Sequence, residues 1–166
     1  MKAFLSGSML ILALALSGCA TRNSGAEQAG GIAVTRTHLG QAIARGQIAV
    51  EAFDAADVND PNFAGYASAV GQQLQALGWT LVATRGQTEQ VALIDVSEGA
   101  ASGGVATTLD VRIRRRSEGS LIWQGKAVSE ARAAGSAADR AAAVQRLAQA
   151  MFRDFPGQSG ATIRVR

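Results

Sequence analysis

Apolar and polar residues alternate along several short segments of the chain, and this pattern predicts β-strands. Ile32–Leu39, Ile48–Phe53 and Trp79–Thr84 are the first three such segments. Val91–Val96 is an almost unbroken apolar run, which is typical of a central strand buried on both sides. The tail Thr162–Arg166 alternates again and could add an edge strand.

Two other segments repeat apolar residues at helical spacing. The first follows Asp60 and Pro61, which predict a helix start with Asp60 as the N-cap, and it ends at Gly78, a position suited to a left-handed cap. The second follows Ser136, with Asp139 three residues later as in a capping box, and a Phe-Pro-Gly sequence at 155–157 should end it. The two apolar stripes are Phe63, Tyr66, Ala67, Val70, Leu74 and Leu77, and Val144, Leu147, Ala148, Met151 and Phe155.

A hairpin is the most specific local prediction. In its first strand three apolar residues alternate with three polar ones, so one face is buried and one is wet: Leu109, Val111 and Ile113 against Asp110, Arg112 and Arg114. The next apolar row is Leu121, Trp123, Gly125 and Ala127.

Cross-strand partners must lie on the same face, and this requirement selects the register of the hairpin. A two-residue turn at Glu118-Gly119 would pair Ile113 with Gln124. A three-residue loop, Ser117-Glu118-Gly119, pairs Ile113 with Trp123 and places Gly119 at the left-handed position of such loops. The second register also pairs Arg112 with Gln124 and Asp110 with Lys126. We therefore predict the three-residue loop.

The order of these elements is β-β-α-β-β-β-β-α, with the tail as a further candidate strand. Two amphipathic helices and a mainly antiparallel sheet predict an α+β fold, a two-layer sandwich with both helices packed on one face. The folded domain should span residues 32–166, a length that can bury a single core.

The N-terminus predicts a signal peptide over residues 1–18. Lys2 is followed by the uncharged apolar run Phe4–Leu16, which is too short to cross a membrane as a helix. The run ends in Leu16-Ser17-Gly18-Cys19, which resembles the lipobox of bacterial lipoproteins. This resemblance implies lipidation at Cys19, with cleavage before it. The alternative is an ordinary signal peptide that happens to end in a cysteine.

Lipidation at Cys19 would anchor the protein to a membrane without spanning it. Ala20 stands where an aspartate usually marks retention in the inner membrane, so the resemblance points to the outer membrane, with the domain facing the periplasm. Residues 19–31 contain the lipidated cysteine and a small, polar stretch that predicts a flexible tether.

Composition and charge exclude several functions. The chain has 166 residues, one cysteine and one histidine, which argues against a disulfide framework or a cysteine-based zinc site. The formal net charge is +3. Removal of residues 1–18 deletes Lys2, which leaves 15 basic against 13 acidic side chains. Such a weak excess of positive charge, in an exported protein, makes nucleic acid an unsuitable partner.

Catalytic and metal sites find little support in the sequence, and we predict no enzyme activity, cofactor or metal. His38 is the only imidazole, and we expect it to be a strand residue with a local hydrogen bond. The carboxylates that recur before the first helix could ligate calcium, but a solvated loop with Asp60 as a cap is the simpler interpretation: Glu51, Asp54, Asp57 and Asp60. Asp95 in the apolar run predicts a bulge or a strand end, and the glycine-rich stretch 99–104 predicts a loop.

An arginine row on the hairpin is the candidate binding surface. Its members, which we call the arginine face, are Arg112, Arg114, Arg115, Arg116 and Lys126. Arginine binds phosphate and carboxylate groups through its forked donors, so this face could dock anionic lipid, peptidoglycan or an acidic protein. The alternative is a solvated sheet face whose charges prevent aggregation.

Most of the mature chain resembles the bacterial lipoprotein family called domain of unknown function 4136. The resemblance covers the lipobox and five stretches: Thr37–Ala52, Asn62–Trp79, Val91–Ser97, Leu109–Ala127 and Met151–Gly160. Many relatives carry a long glycine-rich insertion where only residues 99–104 stand here. The resemblance implies an envelope location and gives no activity.

Two functional hypotheses follow. The first is a non-enzymatic, lipid-anchored periplasmic module that binds another envelope component. The second is an envelope-structural protein that engages peptidoglycan or lipopolysaccharide through the arginine face.

Overall fold

The computed structural model describes residues 31–83 and 86–166, which form one seven-stranded sheet with two helices packed against one of its faces. The strands are β1 (Ile32–His38), β2 (Gln47–Ala52), β3 (Thr80–Leu81), β4 (Gln90–Ala101), β5 (Gly104–Arg115), β6 (Leu121–Ala131) and β7 (Thr162–Val165). The helices are α1 (Phe63–Ala76) and α2 (Ala137–Phe152), and a short 3-10 helix spans Ala55–Asn59. The predicted α+β two-layer sandwich is confirmed.

The strands lie in the order β3-β2-β4-β5-β6-β1-β7. β2 runs parallel to both β3 and β4, and every other neighbouring pair is antiparallel. The predicted tail strand is confirmed as β7, which pairs with β1 at one edge. The sheet is therefore mixed, with its long central strands β4, β5 and β6 adjacent to one another.

The core lies between the helices and the sheet face that they cover, which we call the helix face. The alternation in β5 is confirmed, because Leu109, Val111 and Ile113 are all fully buried there. α2 contributes Val144, Leu147 and Met151 from its apolar stripe. Neither α1 nor α2 packs on the opposite face of the sheet, which we call the open face.

The predicted register is confirmed up to Ile113, but the turn is tighter than the predicted three-residue loop, because the N–H of Gly119 donates to the carbonyl of Arg116. Ile113 pairs with Trp123, and Gly119 adopts a φ of 63°. β5 ends at Arg115 and β6 begins at Leu121, and the register shifts between Ile113 and Arg114. The shift is a bulge, which absorbs the extra residue within the ladder rather than in the turn. As a result Leu121 leaves the apolar row and is 38% exposed.

Of the two predicted helix starts, one is confirmed and one is wrong. The capping box of Ser136 and Asp139 at the start of α2 is confirmed. The prediction that Asp60 caps α1 is wrong, because α1 begins at Phe63 with Asn62 in the N-cap position. Asp60 instead ends the 3-10 helix, and its Oδ1 accepts hydrogen bonds from the backbone and side-chain amides of Asn62. Asp60 Oδ1, which we expected to cap α1, is therefore bonded to Asn62 instead.

The predicted end of α1 is confirmed, whereas α2 ends earlier than predicted. Gly78 has a φ of 97° just after α1, as predicted. α2 ends at Phe152, three residues before the predicted end, because the chain turns at Asp154, which has a φ of 56°. Phe155 therefore lies outside the helix, where its ring packs 5.2 Å from that of Trp123.

β4 is longer and more open than its sequence predicts. It runs on to Ala101, so the stretch 99–104 is the end of a hairpin rather than a loop. Ala92 and Ile94 are buried on the helix face, whereas Leu93 on the open face is only half-buried. Of the predicted strand Trp79–Thr84, Thr80 and Leu81 form β3, and Thr84 lies outside the described residues.

The predicted signal peptide, the predicted lipidation site Cys19 and the predicted tether up to residue 30 also lie outside the described residues. Within residues 31–83 and 86–166, no helix is long and apolar enough to cross a membrane.

Candidate functional site

The arginine face is divided between the sheet and the loop that follows it. Arg112 and Arg114 of β5 and Lys126 of β6 point to the open face, as the alternation predicts. Arg115 is exposed at the end of β5, and Arg116 lies in the loop beyond it. The members therefore do not form one continuous row.

Three of these cations are already engaged by carboxylates. Arg112 Nε lies 3.0 Å from Asp110 Oδ1, and its guanidinium also stacks over the ring of Phe53 at 3.9 Å. Arg115 pairs with Glu118 at 2.9 Å. In the part of the chain that the structure describes, Arg114 and Lys126 form no salt bridge. The face thus presents mixed charge rather than a strongly positive surface.

Arg116 has a structural role. Its Nη2 donates to Glu51 Oε1 on β2, and its Nε donates to the carbonyl of Thr88 at 2.8 Å. Glu51 Oε1 also accepts the backbone N–H of Gly86 at 3.1 Å. These bonds hold the segment before β4 against β2. Arg116 is therefore a clamp between distant parts of the chain.

Two aspartates face each other across the open face. Asp95 of β4 lies directly opposite Asp110 of β5, in a regular stretch of the ladder. The expectation of a bulge or strand end at Asp95 is wrong, because the residue lies in mid-strand and points away from the core. Asp110 accepts hydrogen bonds from Gln124 and Arg112, at 3.0 Å each. Burial, followed by the charges of Asp57 and Asp110, raises the pKa of Asp95.

Replacing Asp95 by asparagine should stabilise the protein at neutral pH. The folded state holds the Asp95 proton more tightly than the unfolded chain, so the stability falls as pH rises from the ordinary aspartate pKa through the raised one. Above that window the carboxylate costs up to about 1 kcal/mol, the scale of like charges placed directly across a ladder. Urea unfolding should show this gain for Asp95→Asn at pH 7, and the gain should vanish at a pH where both states are protonated.

Glu130, exposed on β6, supplies the matched control for this pH dependence. The substitution Glu130→Gln should not reproduce the gain. Equal stability of Asp95→Asn and the parent protein at pH 7 would contradict the repulsion.

The four carboxylates before α1 act within the chain itself. Asp54 Oδ1 caps the 3-10 helix by accepting the N–H of Ala56 at 2.9 Å. Glu51 pairs with Arg116, Asp60 holds Asn62, and the charge of Asp57 acts on Asp95. No group of three or more histidine, cysteine or acidic residues within residues 31–83 and 86–166 is placed to hold a metal ion.

His38 ends β1, and both of its ring nitrogens have backbone partners. Nδ1 accepts the N–H of Gly40 at 3.1 Å, so Nε2 is the donor to the carbonyl of Gly157 at 2.9 Å. Ser159 hydrogen-bonds both the N–H and the carbonyl of His38. The expectation that His38 is a strand residue with a local hydrogen bond is confirmed. Its imidazole fastens the loop after α2 to β1.

A cavity of about 610 Å³ lies at the far end of the helix face, where β4, β5 and β6 extend beyond the helices. We call it the strand-end cleft. Its floor is one cross-strand row of polar residues, in which Thr107 pairs with Glu98 on one side and Ser129 on the other. The start of α2 and the chain before it form the other wall, which carries Arg132, Arg140 and Arg146.

Arg140 forms the ion pair at the cleft. Arg140 Nη2 donates to Glu98 Oε2 at 2.7 Å, and this contact raises the pKa of Arg140. Burial raises the pKa of the neighbouring Tyr66 phenol, although the charge of Arg140 opposes the rise. Tyr66 Oη and Arg140 Nε are both buried without a hydrogen-bond partner among the described residues.

The strand-end cleft was not predicted from the sequence, although the sequence contains a signal for it. Each of the three central strands is apolar on the helix face up to the same level: Val96, Leu109 and Ala127. The next residue on that face is polar in all three strands, namely Glu98, Thr107 and Ser129. A polar row at one end of an apolar face marks the point where the core stops.

Comparisons with known proteins support the fold and do not identify a function. No protein-family model matches the chain. An uncharacterized protein of Zymomonas mobilis is 42% identical over 65 residues, which are 39% of this chain and 24% of that protein. The chain thus matches about a quarter of that relative's length.

Two solved structures are similar in shape. A PDZ domain protein from Parabacteroides distasonis has a TM-score of 0.57 at 7% identity, covering 81% of this chain and 39% of that one. A PelC dodecamer from Paraburkholderia phytofirmans has a TM-score of 0.48 at 17% identity, covering 70% of this chain and 93% of that one. At 7% identity the likeness to the PDZ domain protein concerns the fold alone.

Proposed function

We propose that the protein is a lipid-anchored lipoprotein of the outer membrane whose periplasmic domain is a binding module rather than an enzyme. The anchor is supported by Cys19 and the apolar run before it. The sheet begins at Ile32, so residues 20–31 separate the lipid from the domain. The binding role is carried by the strand-end cleft, which has the size of a small-ligand site and is lined by three arginines and by the hydroxyl residues Thr107 and Ser129.

The roles of the other candidate residues support a binding module. The imidazole of His38, the only histidine in the chain, is occupied by Gly40 and Gly157. A nucleophilic mechanism with histidine as the base needs an imidazole nitrogen that is free to accept the proton of the nucleophile. We therefore expect no turnover of envelope substrates, and a hydrolytic activity that a single point substitution abolishes would overturn this assignment.

Metabolic labelling with palmitate tests the anchor. The parent protein should incorporate the label and partition into detergent, whereas Cys19→Ser should do neither. Cys19 is the only cysteine, so this single variant removes every candidate thiol. Labelling of Cys19→Ser, or an unlabelled parent protein in the aqueous phase, would contradict the lipoprotein assignment.

In-cell crosslinking followed by mass spectrometry tests the binding role. The lipidated protein should capture a discrete envelope component, and a variant altered in the cleft, Ser129→Ala with Thr107→Val, should lose it. The open-face variant Thr108→Val is the matched control, because Thr108 neighbours Thr107 on the same strand. Capture that survives the cleft substitutions would move the binding surface elsewhere on the domain.

The arginine face supports a second candidate function, attachment to peptidoglycan or lipopolysaccharide. Arg114 and Lys126 favour it, because neither pairs with a carboxylate of the described residues. Replacing Arg112, Arg114 and Arg116 by glutamine should then abolish co-sedimentation with these polymers. Unchanged sedimentation would remove this candidate and leave the cleft as the binding site.

A further inference from the structure

Two hydroxyl side chains lie on the floor of the strand-end cleft. Thr107 is 8% exposed and Ser129 is 4% exposed, and both line the cavity. They are cross-strand partners, so their side chains lie next to each other on the floor of the cavity. A ligand in the cavity would therefore reach both hydroxyl groups.

The charge of the cleft favours an anion. Glu98 is bonded to Arg140, and Asp139 accepts hydrogen bonds from the amide and hydroxyl of Ser136. The lining therefore carries three arginines against two carboxylates, which leaves a net positive charge. Arg132 and Arg146 form no salt bridge with any described residue, so their guanidinium groups are available at the rim. An anion there would meet forked donors, which suit the planar carboxylate and the tetrahedral phosphate.

The remaining lining sets the size and polarity of the ligand. Small apolar residues flank the polar row: Val105, Ala131, Ala142 and Ala143. A volume of about 610 Å³ lies within the range of small-molecule sites. The ligand thus combines an oxyanion for the arginines with polar atoms for the two hydroxyls and a short apolar part.

From these observations we propose that the strand-end cleft binds a small organic oxyanion, with Arg132 and Arg146 holding the charged group and Thr107 and Ser129 donating to its oxygens. The inference rests on the proposed binding function and names the class of ligand. It requires no lipid anchor and no contact with the arginine face.

Isothermal titration of the full chain in detergent, with citrate and inorganic phosphate as separate probes, tests the proposal. At least one probe should bind saturably. The double variant Thr107→Val with Ser129→Ala, and separately Arg146→Gln, should weaken that binding about tenfold or more, because each removes hydrogen bonds to a charged group. Thr108→Val on the open face and Arg153→Gln at the other end of α2 are the matched controls, and both should bind as the parent does.

The two probes distinguish the source of the oxyanion. Binding of citrate alone identifies a carboxylate ligand, and binding of phosphate alone identifies a phosphorylated one. If neither probe binds at millimolar concentration, or if binding persists in the cleft variants, the proposal is wrong.

Urea unfolding guards against a trivial loss of fold. If the Thr107 hydroxyl serves the ligand rather than the fold, Thr107→Val should be at least as stable as the parent protein. Lower stability would show that the hydroxyl is bonded within the fold, which also contradicts the proposal. Cys19→Ser should still bind the probe in the cleft although it no longer attaches to the membrane. If the protein captures a partner in cells but binds neither probe, the proposed binding function holds and the oxyanion proposal is wrong.

Discussion

Replacing Arg36 by alanine should lower the free energy of unfolding by about 3–5 kcal/mol, because it removes the bonds that hold the end of α2 on the sheet. Arg36 lies on β1 and is 3% exposed. Its Nε donates to the carbonyl of Met151 at 2.9 Å, and its Nη2 donates to those of Ala150 at 3.1 Å and Arg153 at 2.8 Å. The last carbonyls of a helix have no partner within it, so one guanidinium serves three acceptors that would otherwise be orphaned.

The buried charge is compensated by its surroundings. A cation at the C-terminus of a helix is stabilised by the helix dipole, and the carboxylate of Asp154 adds to this effect. Burial nevertheless lowers the pKa of Arg36, which stays far above neutrality because arginine begins so high. The loop after α2 completes the enclosure, since a Cβ at Gly157 would lie 2.5 Å from Arg36 Cδ.

Urea unfolding followed by circular dichroism measures this loss. Arg36→Lys should fall between alanine and the parent protein, because a single ammonium cannot match the forked geometry of the guanidinium. Arg164→Ala supplies the control, since Arg164 is an exposed arginine on the neighbouring strand β7 and should change stability by no more than about 0.5 kcal/mol. Arg36→Ala behaving like Arg164→Ala would show that the helix end needs no cation.

The role of Arg36 could not be predicted from the sequence, and the reason is physical. Alternation along β1 identifies the face of each side chain, and an arginine on the helix face looks like a violation of that pattern. Its partners are backbone carbonyls more than a hundred residues away, and backbone atoms leave no trace in a residue pattern. Only the docking of α2 brings donor and acceptors together.

The register of the β5–β6 hairpin, by contrast, follows from local rules alone. Matching the faces of Ile113 and Trp123 suffices, and the same register continues along the strands to pair Thr107 with Ser129. The part of the strand-end cleft formed by the sheet could therefore have been predicted from the sequence. The wall with Arg140 was not, because its position depends on where α2 begins relative to the sheet.

The arginine face shows the same division between local and distant information. The exposure of Arg112 and Arg114 follows from alternation in β5. The ion pair of Arg116 with Glu51 depends on the parallel pairing of β2 with β4, which no short-range pattern predicts. Charge along one strand therefore overstates the net charge of the folded surface.

The second large effect is expected at Trp123, where substitution by alanine should cost about 3–5 kcal/mol. Trp123 is fully buried, and its ring stacks on that of Phe152 at 5.2 Å. Its Nε1 donates to the carbonyl of Pro156 at 3.0 Å. The alanine variant leaves both a cavity and an unpaired carbonyl, whereas Trp123→Phe keeps most of the apolar contact and should cost about 1–3 kcal/mol. Leu121→Ala, a partly exposed site on the same strand, should cost less than about 1 kcal/mol.

Trp79, the other tryptophan of the chain, provides a second readout of the same substitution. Phe155 lies between the two indoles, with its ring centroid 5.2 Å from that of Trp123 and 5.5 Å from that of Trp79. If Trp123 becomes alanine, Phe155 can relax into the vacated space and withdraw from Trp79, because cores collapse only as far as their neighbours allow. The emission of native Trp79 should then shift to the red in Trp123→Ala and stay in place in Trp123→Phe. A loss of stability without that shift would mean that the space stays open, and the cost should then lie at the upper end of the range.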